Sequence, residues 1–174
     1  MNTKVLVAYA SKYGATEEIA ERIGLTLSRN GFIVDVLPVD EVSNLKHYEA
    51  IVLGSAVYVG QWRRQAARFL KKNAKMLSKK LVWLFSSGPT GDGNPVDLMK
   101  GWHFPLLLQQ VADRIKPCDI AFFHGEVNME KVNFLERFVI NKIHVSTGDF
   151  RNWGDIEAWA DNISKQLQLS ASEK

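Results

Sequence analysis

The stretch Val5-Leu6-Val7-Ala8-Tyr9-Ala10-Ser11-Lys12-Tyr13-Gly14-Ala15-Thr16 decides the fold. Its first six residues are a continuous apolar run, which is typical of a strand covered on both faces. The polar residues and glycine that follow lead into a helical pattern, in which Ile19, Ile23 and Leu27 recur every four residues. Asn30-Gly31 ends this pattern, since both residues tolerate a left-handed cap conformation. The stretch therefore predicts a strand, a tight turn and a helix.

The same alternation continues along the chain. Further apolar runs predict strands at residues 32–37, 50–54, 81–85 and 120–123, and helical patterns lie at residues 65–77 and 153–167. Strands that alternate with helices predict an α/β fold with a doubly wound, five-stranded parallel sheet, in the flavodoxin-like order 2-1-3-4-5, with helices on both faces. We expect one domain over residues 1–174, with an inserted helix and loop at about residues 126–150.

Length and composition bound the class of protein. The chain has 174 residues, of which 46% are hydrophobic and 24% charged, so it can bury a core and disorder is not expected. It has no run of about 18 apolar residues, and its N-terminus lacks the pattern of a signal peptide. The single cysteine, Cys118, cannot form an internal disulfide. These features favour a cytoplasmic protein.

The formal net charge is +3, and the basic residues concentrate in one part of the sequence. The cluster comprises Arg63, Arg64, Arg68, Lys71, Lys72, Lys75, Lys79 and Lys80. Much of it falls on one predicted amphipathic helix, so one interpretation is an ordinary solvated face. The other is a surface that attracts an anionic partner or a membrane surface. No nucleic-acid partner is predicted.

The turn after the first strand is a candidate phosphate site. In an open parallel sheet, ligands bind beyond the carboxyl ends of the strands, and a helix N-terminus attracts anions. The candidate residues are Ser11, Lys12, Tyr13, Gly14, Ala15 and Thr16. An ordinary strand-to-helix turn with a hydroxyl cap is the alternative. The pattern matches neither the Walker A loop of nucleoside-triphosphate-binding proteins nor the G-x-G-x-x-G dinucleotide-binding motif.

Two more predicted loops reach the same edge of the sheet. They contain Ser55, Ala56, Val57, Tyr58, Val59 and Gly60 after the third strand, and Ser86, Ser87, Gly88, Pro89, Thr90, Gly91, Asp92 and Gly93 after the fourth. A planar ring such as isoalloxazine fits between them, with Tyr58 or Trp62 stacked on it. Packing against the following helix is the alternative for both aromatics. Trp102 and His103 are further candidates for the edge of this site.

Residues 11–16, 54–60 and 86–93 resemble the three cofactor loops of flavodoxin-like FMN proteins. The likeness covers nearly the whole chain, and residues 133–143 and 147–153 resemble the insertion and final helix of the quinone-dependent protoporphyrinogen dehydrogenase group. The resemblance implies that residues 11–16 hold the FMN phosphate and the other two loops hold the ring. It departs at Tyr13, where flavodoxins usually have Ser or Thr, and in the third loop, which has no aromatic residue.

The resemblance implies an FMN-dependent oxidoreductase of heme biosynthesis, which oxidises a porphyrinogen-like substrate and passes electrons to a quinone or a redox protein. The alternative is an electron-transfer carrier without a small-molecule substrate. We predict no catalytic side chain, because the flavin can accept hydride without a base, and no metal site, because His103, His124 and His144 lack ligand spacing. Residues 131–145 are interpreted as a docked helix, a substrate lid or a membrane-surface helix. A homo-oligomer and peripheral contact with the inner membrane face stay open.

Overall fold

A parallel sheet with helices on both sides organises the computed structural model, which describes residues 3–142 and 144–172. The strands are β1 (Lys4–Ala10), β2 (Ile33–Pro38), β3 (Ala50–Tyr58), β4 (Gln61–Trp62), β5 (Leu81–Ser87), β6 (Asp119–Phe123), β7 (Glu126–Val127) and β8 (Gly148–Asp149). The helices are α1 (Ala15–Arg29), α2 (Arg64–Leu77), α3 (Pro95–Leu98), α4 (Leu106–Ile115), α5 (Phe134–Lys142) and α6 (Trp153–Ser172), with a 3₁₀ turn at Val39–Glu41.

The parallel strands follow the order β2-β1-β3-β5-β6. When the short β4 is left out of the count, this is the predicted order 2-1-3-4-5, so the predicted fold class is confirmed. The apolar runs form the central strands because helices cover both of their faces. One core lies between the sheet and helices α2 and α4, and the other lies against α1 and α6.

Two strands run further than predicted, and this changes the position of the second and third loops. β3 continues to Tyr58 and β5 to Ser87, because their ladder extends through Ser55↔Ser86 and Ala56↔Ser87. Ser55, Ala56, Val57, Tyr58, Ser86 and Ser87 therefore lie in strands, and the prediction that they form loops is wrong. The actual turn is Val59-Gly60, where both residues have positive φ and β4 returns antiparallel to β3.

Helices α4 and α6 also differ from the sequence-based expectation, and the short helix α3 is not predicted either. The sequence patterns do not predict helix α4, because its first two residues, Leu106 and Leu107, are exposed and obscure the apolar period. Helix α6 continues to Ser172, beyond the predicted end at residue 167, through a mainly polar segment.

The segment between β6 and α6 forms an insertion at the carboxyl edge of the sheet. It begins and ends in a two-stranded antiparallel ladder, in which Glu126 faces Asp149. Between β7 and β8 lies helix α5, none of whose residues is buried. The insertion thus contains helix α5, and its two ends pair with each other through β7 and β8.

Arg151 joins the insertion to helix α1. Its side chain is only 4% exposed and forms ion pairs of 2.8 Å with both Glu18 and Asp149. It also donates to the carbonyl oxygen of Ala15 at 3.3 Å and stacks on Trp153. Hydrogen bonding to Arg151 lowers the pKa of Asp149. One guanidinium therefore connects the insertion with the first turn of α1.

We expect Arg151→Gln to lower the free energy of unfolding by about 1–3 kcal/mol. The effect is smaller than for a fully buried pair because Glu18 and Asp149 are themselves partly exposed. Urea unfolding followed by circular dichroism measures it. Arg22→Gln is the matched control, because Arg22 also stacks on Trp153 but pairs with Glu157 at the surface; it should cost less than about 1 kcal/mol. Equal destabilisation in the two variants would contradict the role given to Arg151.

Candidate functional site

A cavity of about 510 Å³ lies at the carboxyl edge of β1, β3 and β5. It is the size of a small-molecule site. Of the residues predicted to bind the cofactor, eleven line it: Ser11, Lys12, Tyr13, Ala15, Thr16, Ala56, Val57, Tyr58, Val59, Ser87 and Gly88. The three chain segments selected from the sequence thus meet around one cavity, as the topology requires.

The β1–α1 turn supplies the polar end of the cavity. Gly14 is the N-cap of α1 and has a φ of 93°, a conformation that glycine adopts without strain. The backbone N–H of Gly14 donates to Ser11 Oγ at 3.0 Å, and the Ser11 hydroxyl proton can still be donated to a ligand. The first-turn N–H groups of Ala15 and Thr16 have no acceptor within the helix. The turn can therefore bind an anion.

Thr16 is buried at this end, and its hydroxyl lies 2.8 Å from that of Ser87. This contact joins the first turn of α1 to the end of β5. Each hydroxyl can donate one hydrogen and accept others, so Thr16 can bond to Ser87 and to a ligand in the cavity at the same time. Thr16, which is predicted to donate a hydroxyl to the phosphate, is thus part of the cavity wall.

Glu136 of the insertion binds the same turn. Its carboxylate accepts hydrogen bonds from Lys12 Nζ and Tyr13 Oη, and it caps α5 through reciprocal bonds with Asn133. The bond with Lys12, followed by that with Tyr13, lowers the pKa of Glu136 to about 2. The bond with Glu136 raises the pKa of Lys12 to about 12. Tyr13, which departs from the flavodoxin pattern, therefore bonds to the insertion.

The other end of the cavity is mainly apolar. The Tyr58 side chain is 45% exposed, and burial of its remainder raises the pKa of its phenol. The insertion contributes an apolar wall to the same cavity, formed by Val132, Leu135, Val139, Ile140 and Val145. An aromatic ring system would find one phenol ring and several aliphatic side chains here. The lack of an aromatic residue in the third loop is thus offset by aliphatic residues of the insertion.

Three predicted residues near the second and third segments lie outside this cavity lining. Ser55 is buried, accepts a hydrogen bond from the N–H of Arg63 and donates to the carbonyl of Ala56. Ser86 is also buried and accepts a bond of 2.8 Å from Trp62 Nε1. The carbonyl oxygen of Gly60 accepts a bond of 3.2 Å from Trp102 Nε1. These contacts stabilise the carboxyl ends of β3 and β5.

The rest of the third predicted segment, which comprises Pro89, Thr90, Gly91, Asp92 and Gly93, also lies outside the lining. The ring nitrogens of His124 lie 3.2 Å from the carbonyl oxygen of Pro89 and 2.7 Å from that of Gly93. The Thr90 hydroxyl donates to the carbonyl of Ser146 at 2.5 Å. The segment therefore packs on the insertion and on the residue that follows β6.

The remaining aromatic candidates pack against other aromatic rings or lie at the surface. Trp62 is buried and lies edge-on to Phe104 at 5.3 Å between ring centroids. Trp102 lies edge-on to Phe122 at 4.9 Å. His103 is exposed. Of the aromatic candidates after the third and fourth strands, Tyr58 is the one that lines the cavity.

Sequence reasoning did not select the insertion as a cavity wall, since a lid was one of three interpretations of residues 131–145, and it missed Gly125, which also lines the cavity. The amphipathic spacing at residues 131–145 is a signal for the first of these, because its apolar residues include those of the wall. Within residues 3–142 and 144–172, no group of three His, Cys, Asp or Glu side chains could hold a metal ion. No helix among these residues is long and apolar enough to cross a membrane.

Comparison with known proteins gives the family. No curated protein matches the sequence. Among solved structures, a flavodoxin from the domain Archaea is similar, with a TM-score of 0.63 at 15% identity over 95% of this chain and 99% of its own. The Streptococcus pneumoniae TIGR4 flavodoxin gives 0.59 at 16% identity over 94% and 99%. Rubredoxin oxygen:oxidoreductase from Desulfovibrio gigas gives 0.61 at 13% identity over 95% of this chain and 36% of its own. The flavodoxin domain model matches residues 6–152, and the chain therefore belongs to the flavodoxin domain family.

Proposed function

We propose that the protein is an FMN-dependent oxidoreductase that oxidises a small-molecule substrate and passes the electrons to an acceptor. Family membership confirms the expectation of an FMN cofactor and of electron transfer. The finer proposal is a protoporphyrinogen dehydrogenase-like reaction with a quinone acceptor, which rests on the resemblance of residues 133–143 and 147–153. The observation that carries the enzyme proposal is the apolar wall that the insertion adds to the cavity.

The residues present fit FMN at both ends of the cavity. The α1 N-terminus, the hydroxyls of Ser11 and Thr16 and the ammonium of Lys12 suit a phosphate. Tyr58 and the backbone at the end of β3 suit a planar ring. When bound, FMN supplies reversible two-electron chemistry, and the protein supplies position and electrostatics.

The insertion supports a substrate-binding role. Leu135 and Val139 line the cavity and are still more than half exposed, so they present apolar surface both to the site and to solvent. A planar, largely apolar substrate could lie against this surface beside the cofactor ring. A carrier that exchanges electrons with proteins needs no such wall. The wall therefore favours the enzyme over the carrier.

Turnover separates these two functions. The FMN-loaded protein is given a porphyrinogen with a quinone analogue, and separately a reduced ferredoxin as electron donor. Steady-state porphyrin formation that depends on the quinone supports the enzyme. Absence of turnover, combined with rapid flavin reduction by the ferredoxin, would assign the carrier function instead.

We expect Thr16→Ala to weaken FMN binding by about 1–2 kcal/mol, the scale of a hydrogen bond to a charged group. Riboflavin, which lacks the phosphate, should bind the variant almost as well as the original protein. Fluorescence titration gives both dissociation constants. Thr26→Ala is the matched control, since the Thr26 hydroxyl bonds to the Arg22 carbonyl elsewhere on α1. An unchanged FMN affinity in Thr16→Ala would move the phosphate to another place.

Tyr58→Ala should weaken the binding of FMN and of riboflavin alike, because the substitution removes a phenol ring that packs on the isoalloxazine, which both ligands share. The expected reduction is about 0.5–1.5 kcal/mol, the scale of aromatic stacking beyond area burial. Tyr58→Phe keeps the ring and should bind nearly as well as the original protein. The assignment of Tyr58 fails if Tyr58→Ala leaves both affinities and the flavin absorbance spectrum unchanged.

Glu136→Gln should increase the preference for FMN over riboflavin by about 3- to 10-fold, since a carboxylate that competes for Lys12 is removed. The dissociation constant of riboflavin divided by that of FMN measures this preference. Glu157→Gln removes a carboxylate from the ion pair with Arg22 and should leave the ratio unchanged. A lower ratio in Glu136→Gln would show that the carboxylate does not oppose the phosphate.

The same contact has a pH dependence of known sign. Because the pKa of Glu136 is lowered to about 2, its bonds to Lys12 and Tyr13 stabilise the fold above the ordinary carboxyl pKa. That contribution is lost as the pH falls through the folded-state value. Between pH 4.5 and pH 2, the free energy of unfolding of Glu136→Gln should therefore depend less on pH than that of the original protein.

A further inference from the structure

A second cavity, of about 710 Å³, adjoins the candidate flavin site and shares Lys12 and Tyr58 with it. Its other lining includes Arg63, Arg64 and Arg68 at the start of α2, and none of its lining residues is acidic. The Nε–H of Arg63 is buried and has no hydrogen-bond partner in the described part of the chain.

The positive charge continues from this cavity along α2. The exposed residues Arg64, Arg68, Lys71, Lys72 and Lys75 are here called the basic face. Helix α2 contains no Asp or Glu, and in residues 3–142 and 144–172 no salt bridge involves any member of the face. At 1.5 Å per residue the face is about 16 Å long.

The charge is also distributed unevenly across the sheet. On the opposite side of the sheet, α1 carries three Glu against two Arg, and α6 carries three acidic residues against one Lys. The two helical layers thus have opposite signs although the net charge of the chain is only +3. Such a distribution orients an acidic partner toward the α2 side before contact.

We propose that the basic face docks an acidic electron-transfer protein. The face starts beside Tyr58 and Val59, both exposed at the edge of the flavin cavity, so a partner seated there lies next to the cofactor. This inference rests on the proposed function, since the cofactor gives the docking its purpose. When FMN is bound, the metal centre of such a partner would take one electron per encounter, so two encounters would remove the two electrons of reduced FMN, and the protons of reduced FMN would pass to water.

Binding of two small redox proteins of opposite charge tests the docking. Calorimetry measures the dissociation constants of an acidic plant-type ferredoxin and a basic cytochrome c, with all proteins oxidised and FMN bound. The ferredoxin should bind, and its affinity should fall at least about tenfold from about 0.01 M to about 0.1 M salt, as the Debye length shortens from about 30 to about 10 Å. The cytochrome should bind at least about tenfold more weakly.

Two double variants of equal net charge locate the site. R68Q/K72Q removes two charges from the basic face, whereas K46Q/K165Q removes two from exposed positions elsewhere. The first should weaken ferredoxin binding about tenfold and the second less than about twofold. The proposal is overturned if both variants weaken binding equally, if the cytochrome binds as tightly as the ferredoxin, or if only anionic phospholipid vesicles bind.

The outcome is separable from that of the proposed function. If the chain takes up no FMN, the oxidoreductase proposal fails, while ferredoxin binding to the chain can still be measured. If FMN binds and a porphyrinogen is oxidised but ferredoxin does not bind, the docking proposal alone fails.

Discussion

The turn at Gly14 is the constraint on which the rest of the site depends. Four residues separate β1 from α1, and the left-handed Gly14 is the last of them, so the free N–H groups at the start of the helix lie at the carboxyl edge of the sheet. An L-residue at this position would be strained, and a longer turn would move the helix end away. The turn proposed to bind the phosphate is thus a direct consequence of how the first strand and helix are joined.

The insertion depends on that same turn for its position. Helix α5 has no buried side chain, and apolar burial therefore contributes little to its placement. Polar contacts join this part of the chain to the β1–α1 unit. Glu136 of α5 accepts from Lys12 and Tyr13. Arg151, which follows β8, donates to Glu18 and to the carbonyl of Ala15. Apart from the buried Val132, charges and hydrogen bonds hold the wall of the cavity in place.

The central strands could be predicted from sequence because each is a continuous apolar run. Their ends could not, because Ser55 and Ser86 resemble loop residues although they pair in the ladder between β3 and β5. The cavity edge formed by residues 11–16 followed from topology alone. The insertion wall did not, because its position depends on pairs such as Lys12 and Glu136, which are 124 residues apart. Local patterns contain no information on such pairs.

Lys12 connects the three features of this edge. It lines both the cavity proposed for FMN and the second cavity beside α2, and its ammonium is bonded to Glu136 of the insertion. One ammonium group cannot give its full charge to a cofactor phosphate, an acidic partner and Glu136 at once. Thermodynamic linkage then requires that an anion which draws Lys12 away from Glu136 weakens the interaction between α5 and the β1–α1 turn. By the same factor, that interaction lowers the affinity of the site for the anion. The two proposals therefore imply that cofactor affinity, docking and the position of the wall are coupled through this one side chain.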